Sequence, residues 1–126
     1  RYAPAELWLD GGHNPAAGKA IAATLDTLPN RPTHLVCGML NTKDVRGFMD
    51  PLAARAQTLT AITIPDEANT LPAQTTADSA TSAGIAATTA PDIYAALDGI
   101  VASAPNARIL ICGSLYLAGH VMRENG

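Results

Sequence analysis

Basic residues are scarce in this 126-residue chain, which has 8 Lys and Arg against 11 Asp and Glu and a formal net charge of -3. Proteins that bind nucleic acid or an anionic membrane surface present a basic face, and no run of Lys or Arg supplies one here. Long hydrophobic runs are also missing, since none approaches the roughly 20 residues that span a bilayer. The amino terminus lacks the layout of a signal peptide. We therefore predict a cytoplasmic protein with no nucleic-acid or membrane partner.

Cysteine and the signatures of metal and phosphate binding are rare or absent. The only two cysteines, Cys37 and Cys112, each end an apolar run before a glycine, which predicts reduced, buried thiols rather than a disulfide framework. No second His or Cys stands at ligand spacing from His13, so we expect no metal site in this chain. The phosphate-loop pattern G-x-x-x-x-G-K-[S/T] does not occur, so the chain lacks its own cradle for ATP phosphates.

The chain does contain enough apolar material, 48% of its residues, for one core but not two, which predicts a single domain over residues 1–126. Apolar runs alternate with amphipathic segments, a pattern typical of an α/β fold: a Rossmann-like, mostly parallel sheet with helices on both faces. The predicted strands are Glu6–Leu9, His34–Cys37, Leu59–Ile64, Ile85–Thr88 and Arg108–Cys112. The predicted helices are Pro15–Leu28, about Asp44–Gln57, Pro91–Ala102 and Leu115–Arg123. Pro51 predicts a kink or break after Asp50, and residues 65–82 a loop that leads into a short helix after Pro72.

The turn that follows the first predicted strand has the composition of a binding site. Asn14 is a good N-cap and Pro15 suits the first helical position, so Asp10 and His13 lie where a strand passes into a helix. The two glycines between them permit close approach of backbone to a ligand, and the free N–H groups of a helix start favour an anion or polar group. We expect any function to involve this turn.

Two later strands end in the same way, with an apolar run, Cys-Gly and a turn, at residues 35–40 and 110–115. In a parallel sheet the loops after all three strands open on the carboxyl edge, where such folds bind ligands. One pocket could thus contain the polar residues of three loops: Asp10, His13 and Asn14; Asn41, Thr42, Lys43 and Asp44; Ser114 and Tyr116.

In order and spacing, the motifs 9–15, 38–44 and 112–116 resemble the C-terminal domain of folylpolyglutamate synthase/dihydrofolate synthase, of the Mur ligase family. The resemblance implies an enzyme that uses ATP to phosphorylate a dihydropteroate or folate carboxylate, after which L-glutamate attacks the acyl phosphate. It also implies that this domain closes over an N-terminal ATPase domain of the same protein. The ligands of Mg²⁺ and most of the folate pocket would lie in that other domain. This chain would then be part of a longer enzyme and inactive alone.

The resemblance also implies roles for single residues. Asp10 matches an aspartate that contacts ATP, and His13 matches a histidine linked to glutamate handling. Ser114, with the backbone after it at Leu115, matches a turn that holds the carboxylate of the incoming amino acid. The further candidates are Asn14, Lys43, Asp44 and Tyr116.

Each of these residues also has an ordinary structural interpretation. Asp10 could only cap its turn, and His13 could be a histidine satisfied by backbone groups. Lys43 could be solvated, and Ser114 could be the N-cap of a final helix.

Two other classes of function fit parts of the pattern. A receiver-like signalling domain also has an aspartate at a strand end and a lysine on a neighbouring loop, as Asp10 and Lys43 are, but it should carry an acidic pair that the first strand here lacks. The other alternative is a stand-alone module that binds a nucleotide or an amino acid without catalysis.

Overall fold

The computed structural model describes residues 5–12, 14–40, 44–64 and 68–113. They form a five-stranded sheet in which every pairing is parallel and the strand order is β1-β5-β2-β3-β4. In chain order the elements are β1 (Glu6–Leu9), α1 (Pro15–Thr27), β2 (Thr33–Cys37), α2 (Val45–Met49), β3 (Thr58–Ala61), α3 (Ala73–Ser82), β4 (Ala86–Thr89), α4 (Ile93–Ser103) and β5 (Arg108–Cys112).

Two hydrophobic cores lie on opposite faces of this sheet. Successive residues of a strand point to opposite faces, so Leu35 of β2 belongs to the core beneath α1, α2 and α3, whereas Val36 belongs to the core beneath α4. In β5, Leu110 belongs to the core beneath α1, α2 and α3, and Ile109 belongs to the core beneath α4. The interior strand β5, between β1 and β2, is buried along its whole length, as expected for a parallel strand covered on both sides. The predicted Rossmann-like sheet with helices on both faces is confirmed.

The local signals in the sequence place most elements correctly. Both β1 and β5 have the predicted bounds, and α1 begins at Pro15 behind the N-cap Asn14. The helix predicted after Pro72 is α3. The helix predicted over 115–123 lies outside the described residues.

Two predicted elements end three or more residues early in the structure. The helix predicted to reach Gln57 ends at Met49 and passes into a 3₁₀ turn over Asp50–Leu52, because Pro51 has no N–H to continue the α-helical pattern. This is the predicted break. The strand predicted to reach Ile64 ends at Ala61, where its pairing with β2 and β4 stops. Ile64 is still 2% exposed, so the apolar pattern reflected burial in the core beyond the end of the strand.

Both cysteines are buried and free, as predicted. Among the described helices, none is long and apolar enough to cross a membrane.

Candidate functional site

The loops that follow β1, β2 and β5 meet at the carboxyl edge of the sheet. Asp10 donates its backbone N–H to the carbonyl of Ile111 at 2.9 Å, and the Gly113 N–H reaches the carbonyl of Gly12 at 3.1 Å. The Gly38 N–H bonds to the carbonyl of Cys112 at 3.3 Å. For the described residues, these bonds confirm the prediction that the three loops share one edge.

Gly113 lies very close to the loop after β2. Its φ of +103° is a conformation that residues with a side chain rarely adopt. A Cβ at this position would lie 2.7 Å from the carbonyl oxygen of Gly38 and 2.7 Å from Sδ of Met39. Only glycine allows the end of β5 to pass so close to the end of β2.

Asp10 lies at the end of β1 and is partly buried. Its Oδ1 accepts a hydrogen bond from the Gly12 N–H at 2.7 Å. The turn-capping interpretation of Asp10 is therefore confirmed for this oxygen. Because the bond uses one carboxylate oxygen, it is compatible with a ligand bound at the other. The contact with ATP that the family resemblance implies remains a prediction.

Asn14 and Asp44 are both helix caps. Oδ1 of Asn14 accepts from the Ala17 N–H at 2.8 Å, and Oδ1 of Asp44 accepts from the Gly47 N–H at 2.8 Å. These bonds account for both residue types, since a short polar side chain satisfies an N–H that the helix leaves unpaired. Their roles toward a ligand remain predictions.

The other predicted site residues lie outside the described residues: His13, Asn41, Thr42, Lys43, Ser114, Leu115 and Tyr116. Their roles also remain predictions. Within the described ranges, no group of three or more His, Cys, Asp or Glu side chains is arranged to hold a metal ion.

The segment around Thr70 also lies beside the loop after β2, which the sequence did not predict. Leu40 and Thr70 form an isolated antiparallel bridge, and the Leu71 N–H bonds to the carbonyl of Met39 at 2.8 Å. Oγ1 of Thr70 accepts from the Ile64 N–H at 2.9 Å. A single bridge between distant residues has no periodic pattern, so no sequence signal could have identified it.

The family model described as "Mur ligase, glutamate ligase domain" matches residues 1–115. The chain belongs to this family. No curated protein sequence matches this Mur ligase domain.

Solved structures match the Mur ligase domain over most or all of its length. The folylpolyglutamate synthase of Mycobacterium tuberculosis, complexed with ADP and AMPPCP, matches with a TM-score of 0.89 and 26% identity, over 100% of this chain and 30% of that one. Escherichia coli FolC, in complex with DHPP and ADP, matches with a TM-score of 0.79 and 24% identity, over 92% of this chain and 27% of that one. A bifunctional folylpolyglutamate synthase/dihydrofolate synthase with Mn, AMPPNP and L-glutamate bound matches with a TM-score of 0.75 and 22% identity, over 93% of this chain and 28% of that one. The last two likenesses show the shared fold.

The Mur ligase domain thus spans about 30% of the length of the first of these enzymes. Its family is one of ATP-dependent ligases, and its sheet is the one found in folylpolyglutamate synthases.

Proposed function

We propose that this chain is the glutamate ligase domain of an ATP-dependent enzyme that joins L-glutamate to dihydropteroate or folate through an acyl phosphate. The observation that carries the proposal is the junction of three loops at the carboxyl edge, held by backbone bonds among Asp10, Gly12, Gly38, Cys112 and Gly113. Folds of this type bind ligands at that edge. The family match favours this function over the receiver-like alternative.

In this proposal Asp10 binds the nucleotide. Its Oδ1 is fixed by the Gly12 N–H, so the carboxylate is held in one orientation at the end of β1. A carboxylate is a strong acceptor for hydroxyl groups such as those of a ribose. The phosphates, by contrast, need the backbone N–H groups and the lysine of a phosphate loop, and this sequence does not contain that pattern. We therefore assign phosphate binding, Mg²⁺ and most of the folate pocket to an N-terminal ATPase domain of the same protein.

The glutamate site belongs to His13, Ser114 and Leu115 in this proposal, with Asn14, Lys43, Asp44 and Tyr116 as further candidates. An amine that attacks an acyl phosphate must be held in one orientation, and fixing the carboxylates of glutamate achieves this. A serine hydroxyl and free backbone N–H groups are suitable donors to a carboxylate. Gly113, which precedes Ser114, is held against the loops after β1 and β2, and this supports a shared site.

The first test uses the isolated chain, labelled with ¹⁵N and titrated separately with ATP and with L-glutamate. We expect weak binding that shifts the amide signals of Gly12, Gly38 and Gly113, and no ATP turnover. ATP hydrolysis by the isolated chain would contradict the proposal. Tight binding of either ligand without turnover in any longer chain would favour the stand-alone binding module instead.

The second test changes the charge of Asp10. Asp10→Asn retains an oxygen for the Gly12 N–H but removes the negative charge. In a ligase that contains this domain, we expect the KM for ATP to rise about tenfold or more, since a hydrogen bond to a charged group contributes roughly 1.5–3 kcal/mol. Asp92→Asn is the matched control, because Asp92 caps α4 through the Ala95 N–H in a similar way. Equal ATP kinetics in both variants would leave Asp10 with only its role in the turn.

The third test separates the glutamate site from the nucleotide site. In the same enzyme, Ser114→Ala should raise the KM for glutamate about tenfold or more and leave the KM for ATP nearly unchanged, because the lost hydroxyl would contact only the amino acid. Unaltered glutamate saturation together with a lower Tm would show that Ser114 only caps a helix.

A further inference from the structure

The two cysteines of the chain lie side by side in the sheet. Cys37 is the last residue of β2, Cys112 is the last residue of β5, and the two are direct partners in the parallel register. Both side chains point into the core beneath α1, α2 and α3, and they are 0% and 1% exposed. They are separated by 74 residues in sequence (112 − 37 − 1) and by one strand spacing in space.

The two thiols are neighbours in the core beneath α1, α2 and α3. A hydrogen bond between them, together with burial, raises the pKa of Cys112 well above its ordinary value, and the nearby negative charge of Asp10 adds to this effect. The Cys112 thiol is therefore protonated at neutral pH. Sδ of Met39 and Sγ of Cys37 both lie within 2.8 Å of the position that a Cβ on Gly113 would occupy. The surroundings are tightly packed.

We propose that Cys37 and Cys112 are a modification site, at which a small peroxide converts the native dithiol into an intramolecular disulfide. In the first step one thiol loses its proton and the thiolate sulfur attacks hydrogen peroxide. The O–O bond breaks, a sulfenic acid forms, and the departing hydroxide takes up the proton as one molecule of water. In the second step the other thiol sulfur displaces the sulfenic oxygen, which leaves as a second molecule of water while the S–S bond forms. The two sulfurs lose two electrons and two protons in total, and the peroxide is reduced.

The positions of the two strands suit this bond. Neighbouring strands lie about 4.8 Å apart, and a disulfide spans Cα separations of roughly 4.4–6.8 Å. The strand spacing therefore falls within the Cα range of a disulfide. Because Cys37 and Cys112 lie side by side, the second thiol can react with the sulfenic acid before a further peroxide oxidises it. Burial makes the first step slow and excludes larger thiol reagents.

The test exposes the folded 126-residue chain to hydrogen peroxide, unfolds it, alkylates the remaining thiols and digests it without reduction. We expect one cross-linked peptide pair that contains Cys37 and Cys112, in monomeric protein, with both thiols lost together. The single variants Cys37→Ala and Cys112→Ala are the controls. Each should accumulate sulfinic or sulfonic acid at its remaining cysteine. Oxidation of methionine does not affect this readout.

Three outcomes of this peroxide experiment would overturn the proposal. The first is oxygen addition to the cysteines of the folded wild-type chain in place of cross-linking. The second is a disulfide between two molecules. The third is the survival of both thiols at a peroxide dose that fully oxidises the urea-unfolded chain.

A second measurement shows whether the bond fits the native fold. The disulfide constrains the unfolded chain across a long loop, so the oxidised protein should unfold at a higher urea concentration than the reduced one. Treatment with dithiothreitol should restore the original midpoint. A lower midpoint after oxidation would show that the bond distorts the strands, contrary to the proposal.

Discussion

Backbone hydrogen bonds join neighbouring segments at both edges of the sheet, and at the amino edge charged side chains add to them. The Glu6 carboxylate of β1 accepts from Nη1 of Arg31 at 2.7 Å and from Nε of Arg108 at 3.1 Å. Nη2 of Arg108 also donates to the carbonyl of Pro29 at 2.9 Å. Hydrogen bonds from Trp8 and Arg108, and the charges of both arginines, lower the pKa of Glu6.

The carboxyl edge is joined by main-chain bonds and by close approach at Gly113. Within the part of the chain that the structure describes, the side chains of Asp10 and Asn14 each make one hydrogen bond through Oδ1 and so use only part of their hydrogen-bonding capacity. The amino edge uses its charged groups internally. This difference supports the proposal that a ligand binds at the carboxyl edge.

The largest effect should come from Gly113→Ala. The new side chain would combine backbone strain, about 1–3 kcal/mol, with overpacking against Gly38 and Met39, about 1–3 kcal/mol. We expect the free energy of unfolding, measured in urea, to fall by about 2–6 kcal/mol. Gly84→Ala is the matched control, since Gly84 has a similar φ of +97° but nothing within 4 Å of the added Cβ. That variant should lose about 1–2 kcal/mol. Equal losses would show that the carboxyl edge is not tightly closed.

The next effect tests the amino edge. Arg108 is 3% exposed, so Arg108→Met removes a buried cation from Glu6 and from the carbonyl of Pro29. We expect the free energy of unfolding to fall by roughly 2 kcal/mol, which is in the upper part of the usual range for single substitutions. Arg46→Met is the control, because Arg46 and Asp50 form a surface pair with both side chains 54% exposed. Its loss should be below about 0.5 kcal/mol. Similar losses in the two variants would contradict the importance of the amino-edge network.

The smallest effect concerns His34 in β2, near the amino edge, where its Nδ1 lies 2.7 Å from Oγ1 of Thr58. Burial lowers the pKa of His34 below 6.5, so the unfolded chain binds more protons than the folded one below that pH. The stability should therefore fall as the pH drops through 6.5 and level off below the folded-state pKa. We expect the free energy of unfolding to change by less than about 0.5 kcal/mol over this pH range, because water screens the exposed part of the ring. Thermal unfolding at a series of pH values measures this dependence, which should disappear in His34→Gln. Its persistence would assign it to other groups.

Local patterns predicted much of the fold and part of the site. The burial of β5, the Asn14 cap and the Asp10 turn all follow from neighbouring residues, so the sequence indicated them directly. The end of β3 was misplaced because the apolar run continues to Ile64 in the core. The bridge between Leu40 and Thr70 was missed because it joins residues far apart in the chain.

Local sequence patterns establish most strands and helices, the start of α1 and the polar segments after three apolar strands, because capping, periodicity and proline act over a few residues. The packing of Gly113 against Gly38, the pairing of Cys37 with Cys112 and the ion pairs of Glu6 with two arginines depend on the three-dimensional fold. These contacts arise from the strand order β1-β5-β2, which brings the last described strand between the first two. That order depends on burying both faces of the whole sheet, and no short stretch of sequence contains it.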